Sequence, residues 1–457
     1  MSPRSLFDPE NAPLSRDEAQ ALAKRTLAFS KADQARVTIN AGGSGNTRFA
    51  ANQVSTAGDE SDIVVTVLSV FGQRAASATT NKLDDASLQR VVETSERLAK
   101  LSPEDPELMP ELGPQQYLNV DGWSQATARL DPAGRAAAVR RVTTPSLAAN
   151  CVATGYIQSD ADVFAIANTK GLFAYGRLTA SSMTTTVRTQ DGRGSGWAGA
   201  SHSDWSKIDP AALGDRALDK ARRSQDPVAV EPGKYTVVLE PTAVGNLVQL
   251  LGFAMNARFA DEGRSFFSKP GGGNKIGMKV VDDRVTISSD PGDADTRAYP
   301  FAPDGLAVQP TTWIANGVVR NLAYDRYWAQ KQGREPVPFP RALKMQGGTG
   351  TVDDLIAGTE RGILVTRFWY IRPVDPRIIL YTGLTRDGTF LIEDGKVTKA
   401  VKNFRFNESP ILMLNNLEAM GEAVRVSASE DGGPGFPIVV PPIRVHDFNF
   451  TSLSDAI

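Results

Sequence analysis

Apolar residues along the chain follow two rhythms, one helical and one of period two, and their order outlines an architecture. In "SRDEAQALAKRTLAFSKA" the residues Ala19, Leu22, Ala23, Leu27 and Phe29 recur at close to helical spacing. Ser15 stands where an N-cap belongs, and Glu18 three residues later completes a capping box. Strand-like segments follow, "ARVTINAG", "NTRFAANQVST" and "SDIVVTVLSVFGQRAASATT", broken by Gly- and Asn-rich turns, with a tight hairpin at Gly72-Gln73. "LDDASLQRVVETSERLAKLS" returns to the helical period through Leu88, Val91, Val92, Ser95 and Leu98. Helix, meander, helix predicts an α+β arrangement with the helices on one face of a sheet.

"SPEDPELMPELGPQQ", rich in proline, reads as an extended surface connection. The earlier pattern then returns: the helix "PAGRAAAVRRVTTPSLA", strands from Cys151 through "GASHSDW" with a turn at Asn168 to Gly171, and the helix "PAALGDRALDKARRSQ". A boundary near 228–233 gives an N-terminal α+β domain, 1–230, with a subdivision near 102–130, and a β-rich C-terminal domain, 231–457.

In the second half, "KYTVVLEP" reads as a strand, and "VGNLVQLLGFAMNARFADEGRSFF" opens a helix with the apolar stripe Val244, Leu247, Val248, Leu251, Met255 and Phe259. Hairpin turns fall at Asn316-Gly317, Asp387-Gly388 and Asp394-Gly395, and "GVVRNLAYDRYWAQ" follows the first of them in a mostly β region. "SPILMLNNLEAMGEAV" reads as a late helix. "FPIVVPPIRVHDFNF" reads as a closing strand whose prolines put it at a sheet edge.

Composition narrows the function. At 457 residues the chain suggests about two or three domains. Its 41% hydrophobic and 22% charged content are those of a soluble globular protein, and a net charge of −2 supplies no broad basic field for nucleic acid. One cysteine, Cys151, rules out an internal disulfide framework and fits a reducing compartment. The first twenty residues lack the apolar core of a signal peptide, and no run of eighteen apolar residues occurs. A cytoplasmic protein without a membrane partner is expected.

The order of these pieces resembles the TldD/PmbA (TldD/TldE) family of modulators of DNA gyrase, whose active members are metallopeptidases. The resemblance runs through "TRFAANQVSTAGDESDIVVTVLSVFGQRAASATT", "ANTKGLFAYGR", "PGKYTVVLEPTAVGNLVQLL", "EGRSFFSKPGGGNKIGMKVVDDRVTISSDP", "DDLIAGTERGILVTRF" and "YTGLTRDGTFLIEDGKVTKAVKNFRFNESPILMLNNLEAMGE". It implies a helix and antiparallel-sheet domain followed by a β-rich C-terminal domain of the TldD/PmbA type. In the family's metallopeptidase subunit, the helix that opens at 244 carries His-Glu-x-x-x-His. Its imidazoles bind zinc, its Glu acts on a metal-bound water, and a cysteine further along supplies another ligand. Here the corresponding positions hold Gln249, Leu250 and Ala254, residues 211–445 contain no histidine, and Cys151 precedes the helix.

"SFF…GNKIG…VTISSDPG" resembles the PmbA/TldE side of the family. The resemblance therefore implies no cofactor in this chain, zinc in a TldD-like partner, and a heterodimer with that partner, or a homodimer if alone. The substrates it implies are unfolded or flexible peptides. Gln249, Phe253 and Asn256, off the apolar stripe, are candidates to line the substrate chamber. Two alternatives are a self-sufficient peptidase or amide hydrolase using non-zinc residues and a homodimeric peptide-binding protein without catalysis.

Other chemistry in the sequence is weaker. Cys151, His202 and Asp204 contain the residue types of a nucleophilic hydrolase, with His202 and Asp204 on one face if the strand continues. His446-Asp447 would point to opposite faces of the last strand. "KPGGGNKIG" lacks the spacing and ending of a Walker loop. Asp282, Asp283, Asp290, Asp293 and Asp295 lack the spacing of an EF-hand. "GGPGFP" reads as a turn or mobile loop.

Overall fold

The computed structural model describes residues 12–430 and 432–454. Six strands of the first half form one antiparallel sheet: β1 Gln34–Ala50, β2 Gln53–Phe71, β3 Arg74–Thr80, β4 Cys151–Asn168, β5 Phe173–Thr189 and β6 Ser195–His202. Their order is β3-β2-β1-β4-β5-β6, so two three-stranded meanders meet where β1 pairs β4. Helices Arg16–Leu27 and Asp85–Leu101 bracket the first meander, and Pro132–Ala148 and Pro210–Arg223 the second. The helix–βββ–helix unit thus occurs twice. Alternate strand residues face the helices, Val37, Ile39 and Ala41 under the first pair and Ala153, Ile157 and Met183 under the second.

The expected capping box of Ser15 and Glu18 is formed, and the hairpin at Gly72 is in place with Phe71 opposite Arg74. The break expected within the glycines at 42–45 is not. β1 runs straight through them, and the chain turns at Ala51-Asn52, both in the left-handed region. Gly45 is there because a buried side chain needs the space. A Cβ on it would lie 2.3 Å from Arg135 Nη1, whose guanidinium donates to Asp59 at 2.5 Å and to the Thr47 hydroxyl at 3.1 Å. The proline-rich connection is extended, as its sequence suggests, and Tyr117 within it donates to the Gly305 carbonyl at 2.7 Å.

The second half places the helix Pro241–Ala254 between two sheets. One is nine-stranded, in the order Phe368–Asp375, Leu380–Thr385, Phe404–Glu408, Ile443–Leu453, Gly233–Leu239, Arg361–Val365, Thr389–Glu393 and Lys396–Ala400, with Leu417–Met420 paired to Ile443–Leu453. The other is a smaller six-stranded sheet, in the order Val318–Val319, Thr311–Ala315, Ile287–Ser289, Leu343–Met345, Ile438–Val440 and Val424–Val426. Residues of all three layers share one apolar core.

Four expectations are corrected here. The closing strand Ile443–Leu453 is interior, between Phe404–Glu408 and Gly233–Leu239. Pro441 and Pro442 precede its first residue, so neither removes a ladder donor from it. The late helix is only Pro410–Asn415, because Leu417–Met420 pairs with the closing strand instead of extending it. After the turn at Asn316-Gly317 only Val318–Val319 is strand, and Arg326–Lys331 is a helix capped by Asp325. The central helix stops at Ala254. Asn256 caps a separate turn of helix, Ala257–Asp261, which leaves Phe259 exposed rather than on the buried stripe.

β6 lies against the helix Pro210–Arg223 through glycines. A Cβ on Gly196 would stand 2.2 Å from the Ala217 carbonyl oxygen and 2.5 Å from the Ala221 nitrogen. Both are backbone atoms that cannot rotate away. Gly196→Ala is therefore expected to destabilise the protein by roughly 1–3 kcal/mol through overpacking. Urea unfolding should show a lower midpoint with an unchanged slope.

Candidate functional site

The central helix begins at Pro241, after Glu240, whose carboxylate receives the Lys220 ammonium at 2.7 Å from the first half of the chain. Val244, Leu247, Val248, Leu251 and Met255 are fully buried, as the apolar stripe requires. Gly245 lets the small sheet approach, since a Cβ there would sit 2.7 Å from Val426 Cγ2. The chain that follows Val426 continues along the helix. Asn246 Nδ2 and Gln249 Nε2 both donate to the Ala428 carbonyl, at 3.0 and 3.1 Å, and Phe253 meets Phe436 edge to face at 5.5 Å. The same chain is stitched to the first sheet, where the Ser182 hydroxyl donates to the Gly432 carbonyl at 2.9 Å. "GGPGFP" is therefore one of the contacts between the two halves, beside Lys220–Glu240 and Tyr117–Gly305.

Beside this contact lies a polar pocket of about 240 Å³. Thr184 and Thr186 of β5 and Trp197 of β6 form one wall, and Arg367, Trp369, Arg386 and Asp387 of the nine-stranded sheet and its turns form the other. Arg367 is 8% exposed, stacks on Trp197 at 4.5 Å and lies 3.6 Å from the Asp387 carboxylate. Burial pushes its pKa down, with Asp387 opposing. Asp387 is left-handed, but the Asp387-Gly388 pair does not close the expected hairpin, because Leu380–Thr385 pairs with Phe368–Asp375 and Phe404–Glu408 while Thr389–Glu393 pairs with Arg361–Val365 and Lys396–Ala400. The Asp387 carboxylate accepts the Ser195 hydroxyl at 2.6 Å. Arg386 stacks on Trp369 at 4.2 Å.

Of the residues picked out in the sequence, Gln249 is half-buried and Phe253 more than half exposed, both against the 428–436 chain. Asn256 is set apart from them, its side chain accepting the Phe259 N–H at 2.9 Å as a helix cap. Leu250 and Ala254 pack on the apolar core. An amide bonded to a carbonyl and two aliphatic side chains offer no imidazole, thiolate or carboxylate, so the zinc set of the metallopeptidase subunit does not fit this helix. Among the described residues no three His, Cys, Asp or Glu side chains gather in metal-binding geometry.

The other candidates are dispersed. Cys151 pairs Thr189 and His202 pairs Ser181 on β5. They are thus separated along that strand by about 26 Å at ~3.3 Å per residue. Burial pushes the Cys151 thiol up, away from the thiolate a nucleophile needs. β6 ends at His202, so Asp204 does not share its strand face. The Asp204 N–H instead donates to His202 Nδ1 at 2.9 Å, and the Asp204 carboxylate caps the turn Trp205–Lys207. His446 and Asp447 lie together, 3.1 Å apart, because a bulge with Asp447 left-handed interrupts the alternation. The five aspartates are spread out: Asp282 bonds Arg284, Asp283 pairs Lys279, Asp290 takes the Gly292 N–H, and Asp293 and Asp295 share Lys344. "KPGGGNKIG" is an exposed turn closed by Lys269 and Gly273.

A two-meander sheet with four helices, joined to a helix between two sheets, defines a class. Profiles of the PmbA/TldA metallopeptidase central domain and C-terminal domain match residues 125–225 and 232–452. The chain belongs to the PmbA/TldD family. A metalloprotease of Methanothermobacter thermautotrophicus is 24% identical over 257 residues, 51% of this chain and 54% of that protein. An uncharacterized protein of Methanocaldococcus jannaschii is 32% identical over 133 residues, 28% of this chain and 30% of that protein. The matches thus span about half or less of these curated relatives. Among solved structures, a candidate modulator of DNA gyrase from Thermotoga maritima superposes with a TM-score of 0.83 at 16% identity, over 94% of this chain and 100% of its own. TldE from Thermococcus kodakarensis gives 0.81 at 16% identity, over 94% and 99%. These likenesses establish the fold.

Sequence reasoning missed Asn246 and the pocket around Arg367. Asn246, 4% exposed, also accepts the Phe368 N–H at 3.1 Å and so ties the helix to the strand beside the pocket. A lone Asn in an apolar helix was the available signal. Asn246→Ala leaves that buried N–H without a partner and is expected to cost roughly 1–3 kcal/mol. Gln249→Ala, at a half-buried site where Asn246 still serves Ala428, should cost less than about 1 kcal/mol. Denaturant unfolding of the two variants tests the asymmetry.

Burial, reinforced by Arg425, holds the His202 pKa below 6.5. In the unfolded chain the imidazole takes up its proton more readily, so its contribution to stability is present above about pH 6.5 and falls as pH drops through that value. The stability difference between wild type and His202→Gln should therefore shrink or reverse between pH 7.5 and 5.5, read from urea midpoints.

Proposed function

We propose that this chain is the metal-free, TldE-like subunit of a TldD/TldE-type metallopeptidase complex. It shapes the chamber in which a zinc-bearing TldD-like partner cleaves unfolded or flexible peptides, and it works in the cytoplasm. The observation that carries this reading is the central helix itself. It is preserved as the filling of the C-terminal core, while the three zinc-motif positions hold Gln249, Leu250 and Ala254, and the Gln249 amide is already bonded to Ala428.

A surface for the partner is at hand. Phe253, Tyr370, Val374, Ile378 and Leu412 are large apolar side chains left about half exposed. They stand on the central helix, the edge hairpin Phe368–Thr385 and the helix Pro410–Asn415, where the helices touch each other and the hairpin touches both. Tyr370 is also held in the left-handed region, a strained position for a non-glycine residue. An extended substrate can add to strand edges by main-chain hydrogen bonds, which suits a peptidase with broad sequence tolerance.

Co-expression with the His-Glu-x-x-x-His protein of the same genome tests the reading. The pair is expected to co-purify and to cleave unstructured peptides, with the metal held by the partner and the chain alone inactive. A double variant, Tyr370→Glu with Leu412→Glu, should separate the subunits and leave this chain folded by circular dichroism. Peptide cleavage by the pure, metal-stripped chain would favour a self-sufficient hydrolase instead. A stable homodimer indifferent to the zinc-bearing protein would leave a peptide-binding protein.

A further inference from the structure

Arg367 is a guanidinium with five N–H donors in one plane. Among the described residues it makes no hydrogen bond, although it is 8% exposed. Its nearest carboxylate, Asp387, is 3.6 Å away, beyond good hydrogen-bond length, and accepts the Ser195 hydroxyl at 2.6 Å. The Trp197 ring covers a face of the guanidinium and takes no in-plane donor. Buried polar groups in folded proteins are nearly all hydrogen-bonded. The donors of Arg367 border the polar pocket of about 240 Å³, so they are left free for water or a ligand held in that pocket.

We propose that this pocket is a carboxylate-recognition site, with Arg367 as the fork that grips the ligand, and that its ligand is a monocarboxylate carried on an extended peptide. A guanidinium fork matches a planar two-oxygen anion. Arg188, Arg367 and Arg386 line the pocket against the carboxylates Asp387 and Glu430, so one positive charge is left in excess, which matches a monoanion better than a dianion and favours carboxylate over phosphate. The hydroxyls of Thr184 and Thr186 add neutral donors, and the rings of Trp197 and Trp369 add flat apolar walls for the chain that carries the anion. The pocket lies where β5 of the first sheet meets the turn at Asp387-Gly388, beside the 428–432 layer on the central helix. The peptide part rests on the chamber reading above; the carboxylate part rests on Arg367 alone.

Isothermal titration of the full chain at pH 7.5 decides it. The probes are Ac-Ala-Ala-Ala-Ala-NH2, the same peptide with a free C-terminal carboxylate, Ac-Ala-Glu-Ala-Ala-NH2, butyrate and inorganic phosphate. One or both carboxylate peptides should bind roughly tenfold or more tightly than the neutral one, and the stronger of the two identifies a C-terminus or an acidic side chain as the source. Arg367→Lys, which keeps the charge and removes the fork, should abolish that preference. Thr186→Trp, which fills the pocket without altering charge, should do the same and stands in if the Lys variant does not fold. Equal binding of neutral and carboxylate peptides overturns the site but leaves the chamber reading standing. Butyrate binding without any peptide binding upholds the carboxylate site and sinks the peptide carrier. Phosphate as the tightest probe, no binding by any probe, or a preference unchanged in both variants overturns the proposal.

Discussion

Burial of one helix between two sheets is the constraint on which the C-terminal half depends. Five aliphatic side chains of Pro241–Ala254 and the residue after it are fully buried, and at about 2 kcal/mol each their burial offers at most ~10 kcal/mol. That is comparable with the whole net stability of a domain. A helix so placed is retained for its packing whatever stands on its polar side. This is why the packing of the helix places no demand on Gln249, whose side chain lies off the buried stripe. Gly245 and Gly252 complete the fit: a Cβ on either would press within 2.7 Å of Val426 or Leu343.

The same helix organises the junction of the two halves. Asn246 holds Ala428 on one side and Phe368, the residue after Arg367, on the other, so one buried amide links the chain at Ala428 to the start of the strand Phe368–Asp375. From there Gly432 reaches the Ser182 hydroxyl of the first sheet, and Asp387 reaches that of Ser195. The polar pocket exists because these two tethers hold the sheets together on either side of it. Two guanidiniums stack on indoles there, Arg367 on Trp197 and Arg386 on Trp369, and the Asp387 carboxylate lies 3.6 and 3.9 Å from them, so stacking and one shared counter-charge together hold the cations in place.

The first half illustrates a duplication that chemistry does not advertise. Helix–βββ–helix recurs, yet the two units bury different side chains, with Arg135 crossing to Asp59 beneath only the second helix pair. Sheet continuity comes from β1 and β4, whose ladder runs from Arg36–Asn168 to Phe49–Gly155 without a shift.

Local physics was enough for much of this. The period of the apolar residues marked the helices Arg16–Leu27 and Asp85–Leu101, and Asn316-Gly317 and Asp394-Gly395 marked two hairpins of the C-terminal half, because helical period, capping and left-handed turns are decided within a few residues. Asp387-Gly388 turns the chain without closing a hairpin, because the strands on either side of it pair with other partners. The lack of a histidine or cysteine on the central helix was likewise legible, since a missing ligand needs no fold to be missing. Tertiary structure decided what depends on distant partners. Leu417–Met420 became strand because Ile443–Leu453 lay open to it, and the glycines at 42–45 became strand because β2 and β4 pair with them on both sides, with Gly45 leaving room for Arg135. The Arg367 pocket joins residues from 184 to 432, and no local pattern brings those together. Secondary structure is largely a short-range bargain between backbone and side chain; a site assembled from two sheets exists only once both have packed on the same helix.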